Sequence, residues 1–257
     1  MNYEFPFTRS LSVFADGEPV TGFGRARLTG KDTLGLYPSA YMLRLWNLPD
    51  PERKMLSAAR EISVRRGDAV LAAGQAADAC SFDGPEGTVT EAVFSAGLRL
   101  WEAPVSLSVE AGVSVSETVR RILEASGTGI RLLAFPGEDP VRTRGQAFYG
   151  RAAECVETAL SAASARCCLA PSGLCVIPPS GLPVSMVLGE DDLAEEPVRA
   201  GGNRLLLQTE PLGWSVGKTV SVNWKNGSAE GLVTERSIDA DTLKGNWQAE
   251  LLLEIQN

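Results

Sequence analysis

The chain has 257 residues, a net charge of −8 and a sequence pI of about 4.8. That length suffices for two modest domains or one large mixed one. The acidic balance argues against a nucleic-acid binder, which needs clustered Lys and Arg to displace counterions, and no run approaches the ~20 apolar residues that span a bilayer.

Met1-Asn2-Tyr3-Glu4-Phe5-Pro6 has no basic region leading into a hydrophobic stretch, so no signal peptide is expected, and synthesis in the cytoplasm follows. An odd count of five cysteines fits a reducing compartment. Cys167, Cys168 and Cys175 lack the C-x-x-C spacing of a metal site and read as buried small hydrophobes.

The N-terminal third reads as strands. Ser10–Phe14 is followed by the turn signal Asp16-Gly17, and Gly22–Leu28 and Tyr41–Trp46 come next. In the last of these Tyr41, Leu43 and Leu45 share one face while Met42 and Trp46 make the other apolar, as in a strand covered on both sides or closed into a barrel. Asn47-Leu48-Pro49-Asp50-Pro51 is a break, with Asp50 expected to cap a short helix through Leu56. Glu61–Gly67, Ala69–Gly74 and Gly87–Phe94 continue the strands.

Val105–Val109 alternates cleanly, and after Gly112 the apolar period lengthens. Ser114 with Glu117 forms a capping-box pattern ahead of a stripe of Val115, Val119, Ile122 and Leu123, and Gly127 supplies a stop. A second helix is expected over Arg151–Arg166, then a strand over Leu174–Ile177. The remainder returns to strands at Val184–Leu188, Arg204–Leu207, Thr219–Trp224, Glu230–Glu235 and Trp247–Leu253, with the hairpin dipeptide Asn226-Gly227 between two of them. The expected fold class is α+β and predominantly β. It comprises a small β-barrel over 1–103, a helix-containing middle over 104–182 and a second small barrel over 183–257, with exchange of strands between barrels left open.

Histidine is absent. This removes Ser-His-Asp and Cys-His activation, imidazole metal sites and the commonest acid–base group. Catalysis by carboxylates alone stays open. The densest acids are Asp191-Asp192, Glu195-Glu196 and Asp239 with Asp241, all read as solvated acids in or beside loops, and none matches calcium-loop spacing. Gly217-Lys218-Thr219 resembles the end of a phosphate-binding loop, but it lacks the upstream glycine (Leu212 stands there) and leads into a strand, so a β-turn is expected. Gly22-Phe23-Gly24 lacks the third glycine of a dinucleotide site. Trp46, Trp101, Trp214, Trp224 and Trp247 offer either core packing or a sugar-stacking surface, and packing is preferred. No catalytic, cofactor-binding or metal-ligating residue is expected, and no cofactor.

The order of segments resembles the baseplate hub family of phage tails and contractile injection systems, grouped with the late-control D proteins. Tyr41-Met42-Leu43-Arg44-Leu45-Trp46-Asn47-Leu48 is similar to the family's strand ending in Asn-Leu. Ile62–Gly67, Phe82-Asp83-Gly84 with Gly87–Thr90, and the Gly112–Val119 entry to a helix follow in the family's order. So do the second helix with Leu174–Pro179 and the stretch Leu212–Val220.

This resemblance implies a non-catalytic structural protein of a phage, prophage or injection-system tail, with two similar barrels per subunit. Three subunits would form a homotrimeric ring joining the tail tube protein to a spike protein, in contact with other baseplate subunits. DNA or a tape-measure protein would pass through its lumen without specific binding, since an acidic wall repels phosphate. It also implies synthesis in a bacterial cytoplasm, assembly into the particle and no membrane partner. The chain lacks an attached lysozyme or peptidase domain, which argues against cell-wall cutting. Two other classes compete: a carbohydrate- or cell-surface-binding β module built on exposed tryptophans, and a carboxylate-dependent cell-wall hydrolase.

Overall fold

Short alternating stretches punctuated by Gly, Asp and Pro become strands, and the two longer apolar periods become helices. The computed structural model describes residues 9–255 apart from Ser172 and Trp214; the N-terminal hexapeptide and Trp214 discussed above lie outside them. The first lobe contains β1 (Ser12–Ala15), β2 (Glu18–Val20), β3 (Arg25–Thr33), β4 (Ser39–Trp46), α1 (Asp50–Ala58), β5 (Glu61–Arg66), β6 (Ala69–Gly84) and β7 (Gly87–Ala96). The middle holds α2 (Leu98–Glu102), β8 (Pro104–Val109), α3 (Val115–Ser126), β9 (Leu132–Ala134), β10 (Gln146–Arg151), α4 (Ala152–Ser161), β11 (Arg166–Ala170) and β12 (Gly173–Ile177). The remainder is β13 (Val184–Leu188), β14 (Val198–Arg199), β15 (Arg204–Thr209), β16 (Thr219–Trp224), β17 (Gly227–Asp241) and β18 (Trp247–Ile255). The fold is therefore predominantly β around a helix-containing middle, as the patterning predicts.

The large sheet runs β14-β15-β18-β17-β3-β4-β7-β6-β5-β1-β2 and is antiparallel along this path, with β16 on β17 and β13 parallel to β16. Two smaller sheets, β8 with β10 and β11-β12-β9, belong to the middle. Asp16 and Gly17, with φ of 50° and 88°, form the two-residue loop between β1 and β2. Both positions need the left-handed region, the reason Asp-Gly marks such hairpins.

Three apolar cores organise these sheets. The first gathers Val13, Leu28, Tyr41, Leu43, Leu45, Ile62, Val64, Leu71 and Phe94, together with Ile238 and Ala240 from β17. Among the described residues α1 is the one helix packed against this core, yet Leu28, Leu43, Ile62 and Phe94 are 0% exposed. The sheet must therefore curl over its own inner face, as in small barrels whose side chains fill the interior. The second core lies beneath α3 and α4, and the third between β13, β15, β16, β17 and β18. Strand β17 serves two lobes: its first half pairs with β16, its second half with β3, and β18 runs along its other edge.

Three local expectations change. Asp50 does not cap α1; Pro49 occupies the cap position, and Asp50 is the first helical residue, ion-paired to Arg53 one turn on. The second predicted helix ends at Ser161, where the chain turns toward β11. Strand β6 runs ten residues beyond the expected Gly74, because pairing with β7 supplies the order that Ala76–Gly84 lacks on its own. By contrast, Ser114 caps α3 through a 3.3 Å hydrogen bond donated by Glu117 N–H, and Gly127 ends the helix with a φ of 63°.

Candidate functional site

The most unusual chemistry in the molecule lies along the β3–β17 seam, where the first and third lobes join. Antiparallel register sets Asp32 opposite Arg236 and Arg27 opposite Asp241. Alternation then sorts these residues onto two faces. On the outer face Lys31 pairs with Glu235 (2.6 Å), Arg27 with Asp239 (2.9 Å), and Arg25 with both Asp241 and Glu86. The inner face is apolar apart from Asp32 and Arg236, both fully buried. Arg236 Nε and Nη2 donate to Asp32 Oδ2 at 2.8 and 2.6 Å, Nη1 donates to Leu212 O at 3.2 Å, and Nη2 also donates to Leu71 O. Tyr41 O–H donates to Asp32 Oδ1. Burial, and next the Asp32 carboxylate, push the Tyr41 hydroxyl well above its ordinary value, so it remains a donor.

This cluster joins strands far apart in the sheet, since β3, β4 and β7 lie between β17 and β6. Arg236 crosses that interval inside the lobe. Segment 210–213 seals the same seam from the third lobe, with Arg66 donating to the Glu210 carboxylate and to Pro211 O. The middle is pinned by the loop after β3. Leu34 packs on the third core and Leu36 enters the second, while Gly35 N–H donates to Cys167 O at 2.8 Å. Trp101 Nε1 donates to Leu36 O, and its ring stacks on Tyr37 at 5.2 Å.

Asp239 and Asp241 are thus not solvated loop acids. Asp241 is 1% exposed, held by Arg25 and by the Leu243 and Lys244 N–H groups. Burial is the largest influence on its carboxyl and would raise its pKa. The Arg25 guanidinium and the two backbone donors together outweigh it and hold the group below the usual carboxylate range. Because the folded value is depressed, the unfolded chain binds the proton more readily. The stability from Asp241 is complete above about pH 4 and lost as pH falls through its lower folded value. Asp241→Asn should lower stability at neutral pH and flatten the acid limb of a urea-midpoint-versus-pH curve; an unchanged limb would count against this role.

The other candidates are dispersed. Asp191 and Asp192 lie in an exposed helical turn over 190–192, and Glu195 and Glu196 are exposed, with Glu196 accepting from Asn226. Gly217 has a φ of 82°, and Lys218 N–H donates to Ser215 O ahead of β16, so this is a turn into a strand. Gly22-Phe23-Gly24 likewise leads into β3. Trp46 is buried beneath the Arg25 guanidinium at 4.1 Å, Trp101 sits against Tyr37, Trp224 packs on the third core and Trp247 on the first. These four tryptophans form no common platform. Cys167 faces the second core, where burial, then the Glu157 charge, push its thiol up to about 12. Among the described residues, no group of three or more Cys, Asp or Glu side chains is placed to hold a metal ion.

No family model and no curated protein matches this chain by sequence. Solved structures do. A tail protein from Neisseria meningitidis MC58 superposes with a TM-score of 0.67 over 95% of both chains at 12% identity. The 43 kDa tail protein of prophage MuSo2 from Shewanella oneidensis gives 0.65 over 96% of this chain and 99% of that one, at 9% identity. The chain has a phage tail protein fold. A component of the E. coli type VI secretion system, described as structurally similar to the T4 bacteriophage tail proteins gp27 and gp5, gives 0.66 over 95% of this chain and 77% of that one, at 10% identity. Each match takes in both β lobes and the helical middle, so the shared tail fold is the whole arrangement. No helix among the described residues is long and apolar enough to cross a membrane.

Proposed function

We propose that this chain is a non-catalytic structural tail protein: a baseplate hub that joins a tail tube to a spike as a trimeric ring. The observation that carries the reading is the near-complete structural correspondence with two tail proteins and a secretion-system component. Two β lobes per subunit give six in a trimer, enough to match a tube of six-fold symmetry on one side and a three-fold spike on the other. The net charge of −8 suits a lumen that lets DNA or a tape-measure protein pass without adhering. Its partners are then a second and third copy of itself, the tube, the spike and neighbouring baseplate subunits, met after synthesis in a bacterial cytoplasm.

Edge chemistry supports self-assembly. Among the described residues β6 pairs only with β7 beyond Ala76, leaving one edge of an extended ribbon unpaired with Phe82 48% exposed on it. Open edges of this kind are templates for pairing with another chain. The test is negative-stain imaging and light scattering of the full chain at high concentration, alone and with tube and spike proteins. A six-lobed ring of three copies is expected, and Phe82→Glu should lower ring yield while leaving the monomer's unfolding midpoint unchanged. Only monomers under every condition would overturn the reading.

A further inference from the structure

Strands β11 and β12 form the hairpin that divides the helical core from the third core, and they place two cysteines face to face. Cys168 lies directly opposite Cys175 in antiparallel register. Opposed residues in such a ladder have Cα atoms about 4.5–5.5 Å apart, inside the roughly 4.4–6.8 Å that a disulfide spans. Both side chains point to the third core, whereas the adjacent Cys167 points to the second. All five thiols are free, Cys168 is 1% exposed and Cys175 is half-buried. Cys168 Sγ donates to Val216 O at 3.5 Å, and the charge of Lys218 reaches Cys175. The hub reading uses neither group.

We propose that Cys168 and Cys175 form a dithiol modification site that reacts with a small disulfide oxidant of the glutathione class and closes to a cross-strand bridge. Cys175 is the entry point, since it alone of the pair meets solvent. Cys168 across the hairpin draws its thiol below the ordinary value, and Lys218 adds to this against the opposing effect of burial. Its thiolate attacks one sulfur of the oxidant, whose S–S bond breaks and whose other half leaves as a thiolate that takes up the proton Cys175 released. Cys168 then surrenders its proton and attacks Cys175 Sγ in the mixed disulfide. The second glutathione leaves as a thiolate and takes that proton. Two protein thiols are oxidised by two electrons, and one glutathione disulfide is reduced to two thiols.

The test incubates the full chain carrying Cys80→Ser, which removes the one exposed thiol that would itself take up glutathione, in glutathione buffers from fully reduced to fully oxidised, quenches with acid, alkylates and counts thiols after unfolding. In the oxidising buffer this chain should retain two of its four remaining thiols, with a mass two hydrogens lower and no retained glutathione. Cys167→Ser should still lose two thiols. Cys168→Ser should stop at a stable glutathione adduct on Cys175, and Cys175→Ser should lose none. Chymotryptic mapping of the wild type, cutting after Leu169 and Leu174, should recover the two halves of the hairpin linked, a readout independent of how the variants fold. Four intact thiols at the oxidising extreme, or a bridge abolished by Cys167→Ser, would overturn the proposal.

Discussion

Replacing Asp32 with alanine should lower the unfolding free energy by about 3–5 kcal/mol, the range for removing one partner of a buried ion pair. The reason is what remains. Arg236 would keep its guanidinium in a fully buried position without the Asp32 carboxylate that faces it, and Tyr41 O–H would lose its acceptor. A buried cation that loses its counter-charge is far more costly than a lost surface ion pair, because water cannot reach it. Urea unfolding of wild type and variant measures the loss directly. The pair itself need not be strongly stabilising, since desolvating two charges offsets most of their attraction. Replacing Asp32 by leucine, Arg236 by methionine and Tyr41 by phenylalanine together should therefore recover most of the loss. A shift below about 1 kcal/mol for Asp32→Ala would mean that the charges are not buried as described.

Gly217→Ala should lower the unfolding free energy by about 2–5 kcal/mol through two separable effects. A φ of 82° puts an L side chain in the left-handed region, at roughly 1–2 kcal/mol. The new Cβ would also sit 2.4 Å from Cys168 Sγ and 3.3 Å from Ile177 Cδ1, and overpacking adds about 1–3 kcal/mol. Combining it with Cys168→Ala removes the sulfur clash and leaves the backbone effect. The double variant should thus be more stable than the two single losses predict, by about 1 kcal/mol or more. Strict additivity would show that the clash is relieved by movement of the turn. This pair of sites also ties the turn before β16 to the hairpin that carries the cysteine pair.

Much of the strand order was legible because alternation and turn chemistry act over a few residues. Val184–Leu188 and Thr219–Trp224 match their predicted bounds, and Asp16-Gly17 and Ser114 act as their side chains dictate. Local reading failed where the partner is distant. Ala76–Gly84 carries few β-branched residues and is a strand because β7 lies beside it. Asp239 and Asp241 look like loop acids until β3 is placed against β17, which brings Arg27 and Arg25 to them across more than two hundred residues of chain.

By itself the sequence determined that this protein is β-rich with a short helical middle, that histidine chemistry is closed to it, and that its surface is acidic. Those properties depend on residue type and on spacing of two to four positions. Only the tertiary structure decided that one strand serves two lobes, that Asp32 and Arg236 meet inside the seam, that Trp46, Trp101, Trp224 and Trp247 scatter, and that Cys168 faces Cys175. Each depends on register between segments separated along the chain, and a slip of one residue would turn every one of those side chains to the other face.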